Sequence, residues 1–185
     1  MQHPYPVDAM VYPRYSSIAT FMRLPFITDP KDLDIAIVGI PFDSSAGYLV
    51  GTRLGPRQIR ISSSAVRTWN PVLKVDPFKK HRIGDYGDLS TDPFSIEETY
   101  QRIEAGIDTL LENDVIPVSV GGDHGITYPI LRSVGKKYGP VALVHIDAHE
   151  DTSDVQFGHK VTHATMLRRA VEENLIDPKK EFSIG

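Results

Sequence analysis

Three short apolar runs, each closed by glycine, proline or charge, constrain what this 185-residue chain can fold into more than any other feature. The first spans Asp34 to Ile40 and is closed by Gly39 and Pro41; the second, Val115 to Val120, runs into Gly121 and Gly122. The third, Val141 to Ile146, runs straight into Asp147. Runs of this length that are apolar at nearly every position read as strands buried on both faces. Helical patterns lie between them. Ser95 and Glu98 have the spacing of a capping box, and Ile96, Tyr100, Ile103, Ile107, Leu110 and Leu111 recur at three- and four-residue intervals. Thr127 to Tyr138 reads as a helix stopped near Gly139 and Pro140. Further helices are predicted from about Gly55 to Trp69, with Pro56 in the first turn and Ile59 and Val66 on its apolar side, and over residues 162 to 174. Alternating strand and helix imply an α/β fold, a parallel sheet covered by helices on both faces. Ligands of such sheets gather beyond the carboxyl ends of the strands, where both His124 and Asp147 fall.

Composition narrows the partners. Twenty basic residues against 24 acidic ones leave a net charge of -4, so no cationic surplus exists to neutralise a nucleic-acid backbone. With no cysteine, a metal must be held by His, Asp and Glu. No apolar run reaches the about 18 residues of a membrane span, and the start lacks the pattern of a secretory leader, so a cytoplasmic location is expected. The opening is rich in proline and tyrosine (Pro4, Tyr5, Pro6, Tyr12, Pro13, Tyr15), and residues 1–30 are expected to form an extended arm. No repeat or charge block divides the chain, so residues 1–185 are expected to form one domain.

The densest polar constellation is Asp147-Ala-His149-Glu150-Asp151. Alternate residues of extended backbone point the same way, so Asp147, His149 and Asp151 can project toward one point, while Glu150 points away. Two carboxylates and one imidazole on one side suit a divalent cation. His124, in Gly121-Gly-Asp-His124, stands at another strand exit and can reach the same edge.

These residues resemble the ureohydrolases, the family of arginase, agmatinase, guanidinobutyrase, guanidinopropionase and formimidoylglutamase. Gly-Gly-Asp-His at 121–124, followed by Ile126, Thr127 and Pro129, and Asp-Ala-His-Glu-Asp at 147–151 reproduce the first two signature motifs in order. Agreement extends to residues 51–60, to Asp85-Tyr-Gly-Asp88, and to Ile18-Ala-Thr-Phe-Met-Arg-Leu-Pro25, which looks like the amino-terminal arm of agmatinase-type members. The resemblance implies a three-layer α/β/α, arginase/deacetylase-like fold with a mainly parallel eight-stranded sheet and two manganese ions at the strand ends, nickel or iron being substitutes. It implies that His124, Asp147 and Asp151 ligate one ion, and Asp147 and His149 the other, with Asp147 bridging. It gives His163 the role of proton relay, with His159 as rival, and makes a trimer or hexamer the expected assembly. Two departures stand out. Gly125 replaces the serine many members carry, and no third motif of the Ser-x-Asp-x-Asp-x-x-Asp-Pro type occurs before Gly185. The chain is therefore expected to be the front part of a ureohydrolase, its carboxy-terminal part missing.

The resulting expectation is metal-dependent hydrolysis of agmatine or a similar guanidino compound to urea and an amine. A cationic substrate tail would meet a carboxylate, for which Asp154 is a candidate, whereas a guanidino acid would meet an arginine, Arg53 or Arg168. The alternative is a truncated, inactive paralogue acting as a binding or assembly partner. A deacetylase of the same fold is a weaker third reading, disfavoured by the paired motifs.

Overall fold

The computed structural model describes residues 4–185. At its centre lies β1 (Ile35–Ile40), buried from Ala36 onward. The short helix α1 (Gly55–Ser62) follows, then β2 (Ile83–Asp88), α2 (Ile96–Glu112) and β3 (Ile116–Gly121). Strand β1 pairs in parallel with β2 on one edge and β3 on the other, with Ile35 opposite both Ile83 and Ile116. The two faces of β1 follow its two-residue period. Ala36, Val38 and Ile40 enter the larger core with Ile103, Ile107 and Leu110 of α2, while Ile37 packs with Phe21, Leu24, Phe78 and Ile83 on the opposite side.

The remaining elements are α3 (Thr127–Tyr138), β4 (Val141–Ile146), α4 (Met166–Glu172) and β5 (Ile176–Ile184). Strand β4 pairs in parallel with β5, forming a second, two-stranded sheet. The parallel α/β architecture read from the sequence is therefore present, divided among the described residues into sheets of three and two strands. An arginine on α3 ties the helices beside the two sheets together: Arg132 donates from Nη2 to Glu173 Oε1 at 2.7 Å and from Nε to Oε2 at 2.8 Å, just past the end of α4.

Helix α2 forms as its sequence dictates. Ser95 Oγ accepts the Glu98 N–H at 3.1 Å, satisfying an otherwise orphaned donor of the first turn, and the apolar stripe is buried. Three expectations need correction. Helix α1 ends at Ser62 and passes through a 3-10 turn, because the backbone of Val66 is extended. Only Pro56 of α1 is buried; Ile59, Val66 and Trp69 are exposed, and the inward contact is made instead by Arg60, which grips Asp85 and Asp88 of β2. The helix predicted over 162–174 begins at Met166, since Thr165 folds the preceding residues into a turn by accepting the Thr162 N–H on its hydroxyl. Finally, β3 and β4 are not buried on both faces: Ile116, Val118, Val144 and Ile146 are exposed, since among the described residues no layer fully covers that face of either edge strand.

The amino-terminal segment is irregular from residue 4 to 20 but attached. Tyr5 donates its hydroxyl to Asp76 Oδ2 at 2.8 Å, and the Val7 N–H bonds Arg23 O at 3.0 Å. Phe26 then pairs with Asp85 along the outer edge of β2. The first three residues of the expected arm lie outside the described residues.

Candidate metal centre

Two loops leaving strand ends build the site. After β3 the chain turns sharply at Gly122, whose φ is 79°. A side chain here would place its Cβ 2.4 Å from the carbonyl oxygen of Phe42 and 2.6 Å from that of Ile40, so only glycine permits the approach. Asp123 next accepts the Gly125 N–H at 2.9 Å, winding residues 124–126 into a 3-10 turn that leads into α3. His124 is thereby fixed over the carboxyl edge of the sheet.

After β4, the Asp147 N–H is held by Ile184 O of β5 at 2.9 Å, and the chain becomes irregular up to α4. Asp151 adopts a left-handed conformation, φ 50°, and its carbonyl accepts the Leu167 N–H, which pins the loop to α4 and buries its carboxylate. The outcome is a compact cluster. His124 Nδ1 lies 2.7 Å from Asp151 Oδ2 and 3.1 Å from Asp147 Oδ2. The other oxygen of Asp147 faces His149: Oδ1 accepts the His149 N–H at 2.9 Å and stands 3.2 Å from its Nδ1. Asp147 thus divides its two oxygens between two histidines. His149 itself is 81% exposed, on the outer side of the cluster.

The structure adds one residue that sequence reasoning passed over. His145, within β4, is buried and lies on the strand face that leads to Asp147; its Nε2 has no partner and sits 3.8 Å from Asp147 Oδ2. Its ring stacks on His124 with centroids 5.3 Å apart, and its Nδ1 is 3.2 Å from Ser183 Oγ. The same two-residue alternation that picks out Asp147, His149 and Asp151 includes His145; its place inside an apolar run hides it.

His163 lies in the turn before α4 and lines one cleft of about 540 Å³ with His124, Asp147, His149 and Asp151. Its Nδ1 is 2.8 Å from Ser45 O. His159, the sequence rival, lies instead against a separate cleft with Tyr100 and Arg132, and its backbone pairs with Gln156. None of the residues proposed for a substrate tail offers a free charge. Asp154 binds Arg169 Nη2 at 2.5 Å, Arg53 grips buried Asp43, and Arg168 binds Glu172 at 2.8 Å.

The electrostatics favour a charged Asp147 at the centre of the cluster. The Asp147 carboxyl is held below its ordinary range, first by the hydrogen bond from the His149 backbone, with burial opposing. Asp123 behaves oppositely: burial pushes its carboxyl up against the bonds it accepts from Ser45 and Gly125.

These groups fit a divalent cation. His124, His145, Asp147 and Asp151 each present a ligand atom, all within 4.8 Å of one another. The unpartnered Nε2 of His145 is a buried acceptor or donor awaiting a partner, and the donor set is the nitrogen and oxygen chemistry of a first-row metal.

Comparison with known proteins supports the fold and places the chain in a family. A model described as the arginase family matches residues 33–185. The chain is 43% identical over 183 residues to a guanidinobutyrase of Pseudomonas aeruginosa, covering 97% of this chain and 57% of that protein. It is 42% identical over 184 residues to a guanidinopropionase of the same organism, covering 99% and 58%. Among solved structures, proclavaminate amidino hydrolase from Streptomyces clavuligerus superposes with a TM-score of 0.89 at 35% identity, covering 94% of this chain and 57% of that one. The chain thus spans little more than half the length of these relatives. With parallel α/β layers, a strand-edge cluster of His and Asp, and a family match over most of its residues, the chain belongs to the arginase family.

Proposed function

We propose that the protein carrying this chain hydrolyses a guanidino compound to urea and an amine at a two-metal centre. The observation that carries this reading is the divided carboxylate of Asp147, with one oxygen toward His124 and the other toward His149. A carboxylate so placed suits two cations rather than one. In this reading His124, Asp147 and Asp151 would hold one ion and Asp147 and His149 the other, with manganese favoured by an oxygen-rich donor set.

A guanidinium carbon is stabilised by resonance over three nitrogens, and water is a weak nucleophile near neutral pH. When bound, paired divalent cations supply an acidified water and a template for the substrate carbon. The protein's own residues do the rest. Asp147, kept ionised by the His149 backbone, provides the fixed negative charge at the centre. His163 faces the same cleft and serves as the general acid that delivers a proton to the departing nitrogen, without which the amine cannot leave. A guanidino acid is the favoured substrate class, following the names of the two relatives above; agmatine is the competitor. A cytoplasmic homo-oligomer is the proposed setting.

The test is urea release by the purified protein from 4-guanidinobutyrate, 3-guanidinopropionate and agmatine, with manganese added or chelated. Metal-dependent urea release from one of them supports the reading. Bound metal without urea release from any would favour the inactive paralogue.

A further inference from the structure

We propose that Ser45, clamped by Asp123, is the positioning residue that sets the tautomer of His163, and that its hydroxyl takes the space left open by Gly125. The role assigned to His163 rests on the function proposed above. The geometry does not.

Asp123 does not join the ligand cluster although it stands beside His124. Its carboxylate turns the other way and takes three hydrogen bonds in buried surroundings. Oδ1 accepts the Ser45 hydroxyl at 2.7 Å and the Gly125 N–H at 2.9 Å, while Oδ2 accepts the Ser45 N–H at 2.9 Å. The loop after β1 is thereby fastened to the loop after β3, 78 residues apart in sequence. Holding Ser45 from its amino and side-chain groups leaves its carbonyl aimed at the third loop, where it meets His163 Nδ1 at 2.8 Å and the His163 N–H at 3.4 Å.

A carbonyl oxygen can only accept, so the bond to Nδ1 requires that this nitrogen carry the proton. In the neutral ring Nε2 is then the acceptor, free to take a proton and give it back. Asp123 therefore governs the chemistry of His163 through one residue, Ser45, without touching it.

The glycine at 125 belongs to the same arrangement. A Cβ there would lie 2.2 Å from Ser45 Oγ, 2.7 Å from the Tyr100 hydroxyl and 3.0 Å from Asp123 Oδ1. The serine that many ureohydrolases carry at this position cannot coexist with Ser45 as placed. Ser45 supplies the hydroxyl to Asp123 from the neighbouring loop, and the two positions are coupled.

The experiment is nitrogen NMR of histidine-labelled full-length protein, at a pH where the His163 ring is neutral, alongside metal content and steady-state kinetics. In the unsubstituted protein His163 is expected with its proton on Nδ1. Asp123→Asn cannot accept both Ser45 bonds and the Gly125 bond, so the tautomers should mix and kcat should fall about 10- to 100-fold with KM nearly unchanged. Should that variant fail to fold, Ser45→Ala, which removes only the hydroxyl, should give a smaller shift in the same direction. Gly125→Ser alone should be destabilised, and adding Ser45→Gly should restore both stability and the Nδ1-protonated ring. A proton on Nε2 in the unsubstituted protein, an unchanged tautomer in folded Asp123→Asn, or additive effects at 45 and 125 would overturn the proposal. An Nδ1-protonated His163 in a protein that releases no urea would leave Ser45 in place and defeat the functional reading instead.

Discussion

Strands β1 and β4 are both six-residue apolar segments, yet Ile40 of β1 is fully buried and Ile146 of β4 is 77% exposed. Strand β1 has a partner on each edge and a packed layer on each face; β4 has one partner, β5. An apolar run therefore encodes the demand for burial but not what satisfies it. The candidate site straddles this difference. His124 is delivered by the densely packed sheet, while Asp147, His149 and Asp151 hang from the strand that is half covered.

The largest expected effect tests whether the two halves build one site. His124→Ala from the first half and Asp147→Ala from the second should each abolish metal retention and urea release, beyond the roughly 100-fold loss typical of residues that merely support ligands. Loss from one side only, read by elemental analysis, would break the pairing. His149→Ala sharpens it: under the proposed two-metal centre, this variant should retain one ion of two.

The next effect tests the strands themselves. In this chain Ile40→Ala should cost about 2–5 kcal/mol in denaturant unfolding, from lost burial and the cavity left behind. Ile146→Ala should cost within about 0.5 kcal/mol, as for exposed positions generally. Equal losses would mean that the outer face of β4 is covered as completely as β1 is.

The smallest effect concerns the clasp between the helices beside the two sheets. The hydrogen bonds from Arg132 hold the Glu173 carboxyl below its ordinary value of 4.5, against the opposing influence of burial. A lowered folded-state value stabilises above the ordinary one and is lost as pH falls through the lower one. Glu173→Gln should therefore flatten the acid side of the stability profile, by about 1 kcal/mol or less because the pair is partly exposed. A variant profile parallel to that of the unsubstituted chain would show that the clasp does not titrate with folding.

Local chemistry was legible where a residue's role depends on its neighbours in sequence. The Ser95 cap and the stripe of α2 and the bounds of α3 and β4 read directly; Asp147 and Asp151 do converge, but through a bend at 148–149 and the left-handed backbone of Asp151 rather than the extended alternation expected, which leaves His149 on the outer side. What required the third dimension was hidden for physical reasons. Strand β2, Ile-Gly-Asp-Tyr-Gly-Asp, carries almost no apolar signal, because buried Asp85 is satisfied by Arg60 and by the Phe21 N–H rather than by a hydrophobic face. The end of helix α1 is not legible because its inward group is that arginine and not Ile59. His145 is hidden by the apolar run around it, and Asp123 and Ser45 carry no spacing signal, since their partners lie 78 and 118 residues away.

The most direct test of the central claim is the number of manganese ions per chain in the full-length protein after exhaustive dialysis, measured together with urea release for the unsubstituted protein and Asp147→Ala. The account predicts two ions and guanidine-dependent urea in the first, and neither in the second. Two ions retained by Asp147→Ala, or urea release by the unsubstituted protein with no metal bound, would contradict it.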